Sequence, residues 1–373
     1  MLLKEILSYI LAPAILFVNT LFGNPNPNTA VYVAPETPKV QTIEKATSTK
    51  ETKNTSVDKS TPVKNSPKTT SQLPPKPTEN PTTTPPVAQE PTPNFEQINT
   101  FARQAVVNIL CTTNGKELSP ISGTGIVVKP DGLIITNAHV GQYLLLKDFT
   151  QNDFVECVVR TGSPAYPRYN VELVYISPSW IADNKTILKE QNPQGTGEND
   201  FAFLRITKSI DNSKLPDKFH FLQMNVRESI SIGEPVLLAS YPAGFLGGLS
   251  ILQNLNVASS ITTIRDYFTF KKDTIDLISV PGTVISQKGS SGGAVVDKYT
   301  SLLALISTSS EGKSTEERDL RAITMSFVNR ELKKEIDISL DQFVNIDSAT
   351  FARKFQEVSA PILTKILTDE LLK

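Results

Sequence analysis

Fourteen of the chain's 26 prolines fall between residues 24 and 94, where Tyr32 is the only aromatic residue and Thr, Ser, Lys, Asn and Glu supply much of the rest. Such a stretch cannot bury enough apolar surface to offset the entropy lost on ordering, so 24–94 is expected to be a disordered, extended linker. Any large packed core must therefore lie beyond Asn94. About 280 of the 373 residues remain there. That is enough for one large domain or two close-packed barrels.

Ahead of the linker, Ile6 to Phe22 carries no charge, and Leu2 and Leu3 extend the apolar run beyond Lys4 and Glu5. A run of about 20 apolar residues can cross a bilayer as a helix, and Pro13 is tolerable within one. Residues 1–23 therefore read as a transmembrane anchor. A cleaved signal peptide is the alternative, although Leu21-Phe22-Gly23 and Asn28-Thr29-Ala30 are poor cleavage sites. Lys4 favours an inside amino terminus. Either way, the bulk of the chain is expected outside the cytoplasm, in the anchored case as a single-pass protein of the cell membrane.

The net charge of −1 gives no electrostatic case for nucleic acid as a partner. The two cysteines, Cys111 and Cys157, each border an apolar strand-like run. They are either one disulfide of an exported protein or two unrelated core thiols. No Cys/His cluster suggests a metal site, and no cofactor is expected.

From Asn94 the texture changes. Phe95, Ile98, Phe101, Ala102 and Ala105 have helical spacing and suggest a short lead-in helix. Short strands are then predicted at 106–113, 121–128, 132–136, 154–160, 171–176, 201–206, 235–240, 276–280, 293–297 and 302–308. Turn signals such as Pro130-Asp131-Gly132 divide them. This density argues an all-β sandwich or barrel. After Asn329 the pattern becomes helical. Phe351, Phe355, Val358, Ile362 and Ile366 recur at three- and four-residue steps, Asp347 or Ser348 is a plausible N-cap, and Pro361 should kink or divide the helix.

Three residues have the settings that nucleophilic catalysis needs. Ser291 lies in Gly289-Ser290-Ser291-Gly292-Gly293, a tight turn in which the N–H groups of Gly289 and Ser291 can converge as an oxyanion hole. His139 follows the apolar run Leu133-Ile134-Ile135-Thr136 at a strand-to-loop corner, and the other histidine, His220, looks like a strand residue in Phe219-His220-Phe221. Asp200 heads Phe201–Ile206. An acid at the mouth of a buried strand is suited to orienting a histidine N–H.

Gly123-Thr124-Gly125-Ile126-Val127-Val128 and Gly132–Val140, with Asp200–Ile206 and Gly289–Ala294, resemble trypsin-like serine peptidases of the HtrA type over roughly 100–330. The resemblance implies two antiparallel β-barrels of the chymotrypsin type over 95–330, followed by a helical extension over 331–373. It makes His139 the base, Asp200 its orienter and Ser291 the nucleophile, with polypeptides as substrates. It also places Ile285 at the floor of the primary substrate pocket, with Ile306 and Ser307 in its wall. Three departures stand out. Ser290 occupies the place where digestive members carry an aspartate. About 45 residues follow the protease region, too few for a PDZ domain. The loops 177–199 and 241–259 are long. A non-catalytic binding module on the same fold, or a surface attachment protein, is the competing expectation. The residues do not indicate an oligomeric state.

Overall fold

The computed structural model describes residues 93–190, 195–244, 246–270, 273–309 and 319–373. The expected anchor over 1–23 and, except for its last two residues, the linker over 24–94 lie outside them. Among the described residues no helix is long and apolar enough to cross a membrane.

The lead-in helix, α1, spans Phe95–Ala105. Asn94 caps it by accepting from the Gln97 N–H at 3.1 Å, which satisfies one of the donors left open at a helix start. Ile98, Ala102 and Ala105 face the core, while Phe101 stays exposed.

Six strands follow: β1 (Val106–Thr113), β2 (Ile121–Val127), β3 (Leu133–Thr136), β4 (Val155–Thr161), β5 (Tyr166–Ile176) and β6 (Ala202–Ser209). They pair antiparallel and close into a barrel in the order β1-β2-β3-β6-β5-β4. Closure leaves no unpaired edge. Between β3 and β4 lies the one-turn helix α2 (Ala138–Gly141), and after β5 comes α3 (Pro178–Asn184). Cys111 stands opposite Cys157 across β1 and β4, and the two form a disulfide. The bond links residues 46 apart. By the chain-entropy argument a loop of that size restrains the unfolded chain by roughly 4 kcal/mol.

The second half departs from expectation. It comprises β7 (Pro235–Ser240), the short helix α4 (Gly248–Gln253), β8 (Ala258–Thr263), β9 (Asp266–Phe268), β10 (Leu277–Pro281), β11 (Ala294–Val296), β12 (Leu302–Ser309) and β13 (Asp319–Thr324). These strands form a seven-stranded sheet in the order β8-β7-β11-β12-β13-β10-β9, not a second closed barrel. The sheet curls far enough to bring β8 near β10. Its end strand β9 has only three residues, too short for a ladder across the seam. Val236, Leu238, Ile278, Val280, Val295 and Leu303 fill its interior. His220 lies in an irregular, exposed connection, not in a strand.

Four helices end the chain: α5 (Met325–Ile336), α6 (Leu340–Asn345), α7 (Ser348–Val358) and α8 (Ala360–Leu371). Asp347 caps α7 through the Thr350 N–H at 2.8 Å, and Pro361 sits in the first turn of α8, where its missing N–H costs nothing. The boundary expected at 330 falls inside α5. The helices pack on the first barrel through aromatic rings. Phe343 meets Phe203 at 4.6 Å between centroids and Phe351 at 5.0 Å. Tyr175 contacts Phe201, Phe343 and Phe355.

Glu335, buried in α5, joins this contact. Its carboxylate accepts from the Tyr175 hydroxyl, from Ser177 Oγ at 2.7 Å and from the Ser179 N–H at 3.3 Å. Burial raises its pKa above the ordinary carboxylate value, and the three donors offset only part of that. A carboxyl with a raised folded-state pKa stabilises the fold below its ordinary value, and that contribution is lost as pH rises through the raised one. The unfolding free energy of wild type relative to Glu335→Gln should therefore fall as pH rises from the ordinary carboxylate range. Glu335→Ala should cost about 3 kcal/mol or more, because three donors lose their acceptor at roughly 1 kcal/mol or more each. Denaturant melts across pH check both. A pH-independent difference between wild type and the Gln variant would contradict the account.

Candidate active site

His139 lies in the first turn of α2, directly after β3. Gly141, at the end of that turn, lets α2 sit close on β6, since a Cβ there would come within 2.7 Å of the Ala202 Cβ. Asp200 is 3% exposed and enters β6 from the Gly195–Asn199 loop. Its Oδ1 accepts from the His139 backbone N–H at 3.0 Å, and its Oδ2 accepts from His139 Nδ1 at 2.9 Å. The Asn137 amide donates to the Asp200 carbonyl at 2.9 Å. The acid thus grips both the backbone and the ring of the histidine. With Nδ1 donating to Asp200, Nε2 keeps the lone pair that a general base needs.

The His139 side chain keeps 23% of its surface accessible. Burial is the largest single influence on it and pulls its pKa down. The charge of Asp200 and the hydrogen bond to it together outweigh burial, so the pKa lies above the ordinary value. A similarly placed imidazole without the carboxylate would lose its proton more easily.

Ser291 belongs to the turn that precedes β11. The Lys288 carbonyl accepts from the Ala243 N–H at 2.7 Å, and the Ser290 carbonyl accepts from the Gly293 N–H at 2.9 Å. These peptides are trans, so the N–H groups of Gly289 and Ser291 point away from those contacts. Among the described residues neither N–H has a hydrogen-bond partner. Gly289 adopts φ +91° and lies against Tyr241 and Ala243, where a Cβ would come within 2.8 Å of the Tyr241 carbonyl oxygen. Only glycine meets both demands. The position before Ser291 is also accounted for. Ser290 is buried, and its Oγ accepts from Ser240 Oγ at 2.9 Å, a neutral pair that needs no cation.

Ser307 joins the two halves. It sits where the β12–β13 register shifts, and such a bulge re-aims a side chain. Its hydroxyl donates to Asp200 Oδ2 at 2.8 Å, and its carbonyl oxygen lies 3.5 Å from Ser291 Oγ. That second contact is long for a hydroxyl bond. Among the described residues Ser291 Oγ makes no hydrogen bond to His139. Rotation about χ1, between staggered wells, would re-aim it. The family resemblance puts Ser307 in a pocket wall, and nothing in the sequence announces its bond to Asp200. The bulge that produces this bond has no signature in Leu305-Ile306-Ser307-Thr308.

Ile285 and Ile306 are buried in the core cluster of the second sheet. Ile285 presents no accessible surface, so these two can back a pocket only from within that core. Arg160, which nothing in the sequence singles out, is completely buried on β4, and among the described residues it has no carboxylate partner. Its guanidinium donates to the carbonyls of Ala165, Ile251 and Leu252 at 2.8–3.2 Å and to Asn108 Oδ1 at 3.3 Å. It thereby pins the carbonyl end of α4, where a cation suits the helix dipole, and with it the 241–257 loop that abuts Gly289.

Two histidines make the ring titration easy to follow. In NMR, the His139 ring should titrate with a midpoint above about 6.5. Asp200→Asn should lower that midpoint, because the counter-charge is removed while burial remains. An unchanged midpoint in the variant would show that Asp200 does not govern the His139 ring.

No curated protein matches the chain. Residues 123–305, which hold His139, Asp200 and Ser291, match the family model described as a trypsin-like peptidase domain. With the closed barrel, the curled second sheet and the site between them, that match shows that the chain carries a trypsin-like peptidase domain.

Proposed function

We propose that the protein is a membrane-tethered, extracytoplasmic serine endopeptidase of HtrA-like type, with His139, Asp200 and Ser291 as its triad. The observation that carries this reading is the double hold of Asp200 on His139, with Ser307 bonded to the same carboxylate while its carbonyl oxygen lies 3.5 Å from Ser291 Oγ. In this reading the Ser291 Oγ–H proton passes to His139 Nε2 as Oγ bonds to the scissile carbonyl carbon. The resulting oxyanion is received by the Gly289 and Ser291 N–H groups. The C–N bond then breaks, His139 returns the proton to the departing amine, and an acyl-enzyme remains. Water, activated by the same base, hydrolyses it and restores Ser291.

The apolar run Ile6–Phe22 supports the tether. The Cys111–Cys157 disulfide supports an oxidising compartment outside the cytoplasm. The segment Thr283–Ser291 contains no acidic residue and one basic residue, Lys288. A substrate Lys or Arg entering there would find no counter-charge, at a cost of several kcal/mol if buried. Small or medium apolar residues before the cut are therefore the favoured class. A non-catalytic binding module draws support from one observation, the lean of Ser291 Oγ toward Ser307, and the same assay separates the two readings.

Peptides with Leu, Val or Ala before the cut should be hydrolysed faster than Lys or Arg counterparts. Ser291→Ala, His139→Ala and the double variant should all lose about 10⁴-fold or more in kcat, with non-additive effects because the two residues act as one unit. Full activity in Ser291→Ala, or loss only in Ser290→Ala, would sink the assignment.

A further inference from the structure

Thr124, in β2 of the first barrel, is completely buried and uses every polar atom on the second half or on its own barrel's end. Its N–H donates to the Ser291 carbonyl at 2.8 Å. Its carbonyl accepts from Thr136 Oγ1 at 2.7 Å. Its hydroxyl donates to the Gly289 carbonyl at 2.8 Å and accepts from the Tyr241 N–H at 3.0 Å. One residue of the first barrel therefore holds both carbonyls that bracket the Ser290–Ser291 step.

The turn needs an outside hold. Gly289 is required for close approach to Tyr241 and Ala243, but glycine does little to fix its own torsions. The peptide before it is tied to Ala243 through the Lys288 carbonyl, and the peptide after it to the Thr124 hydroxyl. The same hydroxyl anchors Tyr241, two residues before Ala243. Both ends of Gly289 are thus referred to one side chain.

We infer that the Thr124 hydroxyl is a positioning residue for the oxyanion hole, setting the direction of the Gly289 and Ser291 N–H groups without touching substrate or His139. The inference rests on the serine-peptidase reading above. A turn free to rotate aims its donors away from the developing oxyanion, and loss of one such donor typically costs about 10²–10³-fold in kcat. Removal of a positioning contact should cost less than removal of the donor.

The test uses Thr124→Val, which keeps the shape and removes the hydroxyl, beside Thr124→Ser, which keeps the hydroxyl. With a peptide amide substrate, Thr124→Val should lose about ten- to a hundred-fold in kcat with KM within about twofold. Thr124→Ser should recover to within about threefold of wild type. Affinity for a peptidyl trifluoromethyl ketone, whose adduct carries the oxyanion, should fall in parallel with kcat. The His139 titration midpoint should not move. If Thr124→Val does not fold, Thr124→Cys, with its weaker S–H donor, should show the same split at smaller size. Wild-type kcat in a folded Val or Cys variant would overturn the inference alone. So would a loss confined to KM, or a loss that Ser does not repair. A wild-type protein inert toward every peptide would overturn the peptidase reading and the inference with it.

Discussion

The buried carboxylate of Asp200 is the contact on which the site depends. One oxygen holds the His139 backbone, and the other holds its ring and accepts from Ser307 of the second sheet. A lone carboxylate buried this deeply would be costly. Here three donors surround it and His139 can share its charge, so the burial that penalises the acid also strengthens its pull on the histidine. Because Ser307 belongs to the other half of the domain, the same bonds that orient the His139 ring also set the register between the halves.

The support behind that carboxylate comes from the C-terminal helices. The rings of Phe201 and Phe203, which follow Asp200 in the chain, pack into the aromatic cluster with Tyr175, Phe343 and Phe355. Glu335 closes the edge of that cluster by binding the backbone and hydroxyls at the end of β5. On the other side of the site, Arg160 and Thr124 hold the 241–257 loop and the Ser291 turn to the first barrel. Each element of the site is thus held by an atom far away in sequence.

That distance decides what could be read from the sequence. Strands with several consecutive apolar residues, such as β1, β3, β6 and β7, were legible because burial on both faces writes itself into composition. The lead-in helix, the Asp347 cap and the break at Pro361 follow from local rules and were legible too. β8 and β9 were not, because Ala258-Ser259-Ser260-Ile261-Thr262-Thr263 is half exposed and carries no clean alternation. β13 alternates only at its start, with partly exposed Asp319 and Arg321 flanking buried Leu320, and then runs buried through Ala322, Ile323 and Thr324, a short pattern that a preceding charged run obscured. The three candidate catalytic residues stood out because a histidine at a strand end, an acid heading an apolar strand and a serine among glycines are each unusual locally. The partners that place them were silent. Thr124 is one small residue in a glycine pair, Arg160 answers to carbonyl oxygens distant in sequence, and the bulge at Ser307 depends on a pairing shift that no local rule encodes.

The central claim is that Ser291, activated by His139 and set beside two N–H groups that have no partner among the described residues, is a working nucleophile. Reaction of the folded protein with a fluorophosphonate, followed by mass mapping of the adduct, tests it most directly. The account predicts a single adduct at Ser291, absent from His139→Ala. An adduct at Ser290, or no adduct on folded wild-type protein, would contradict it.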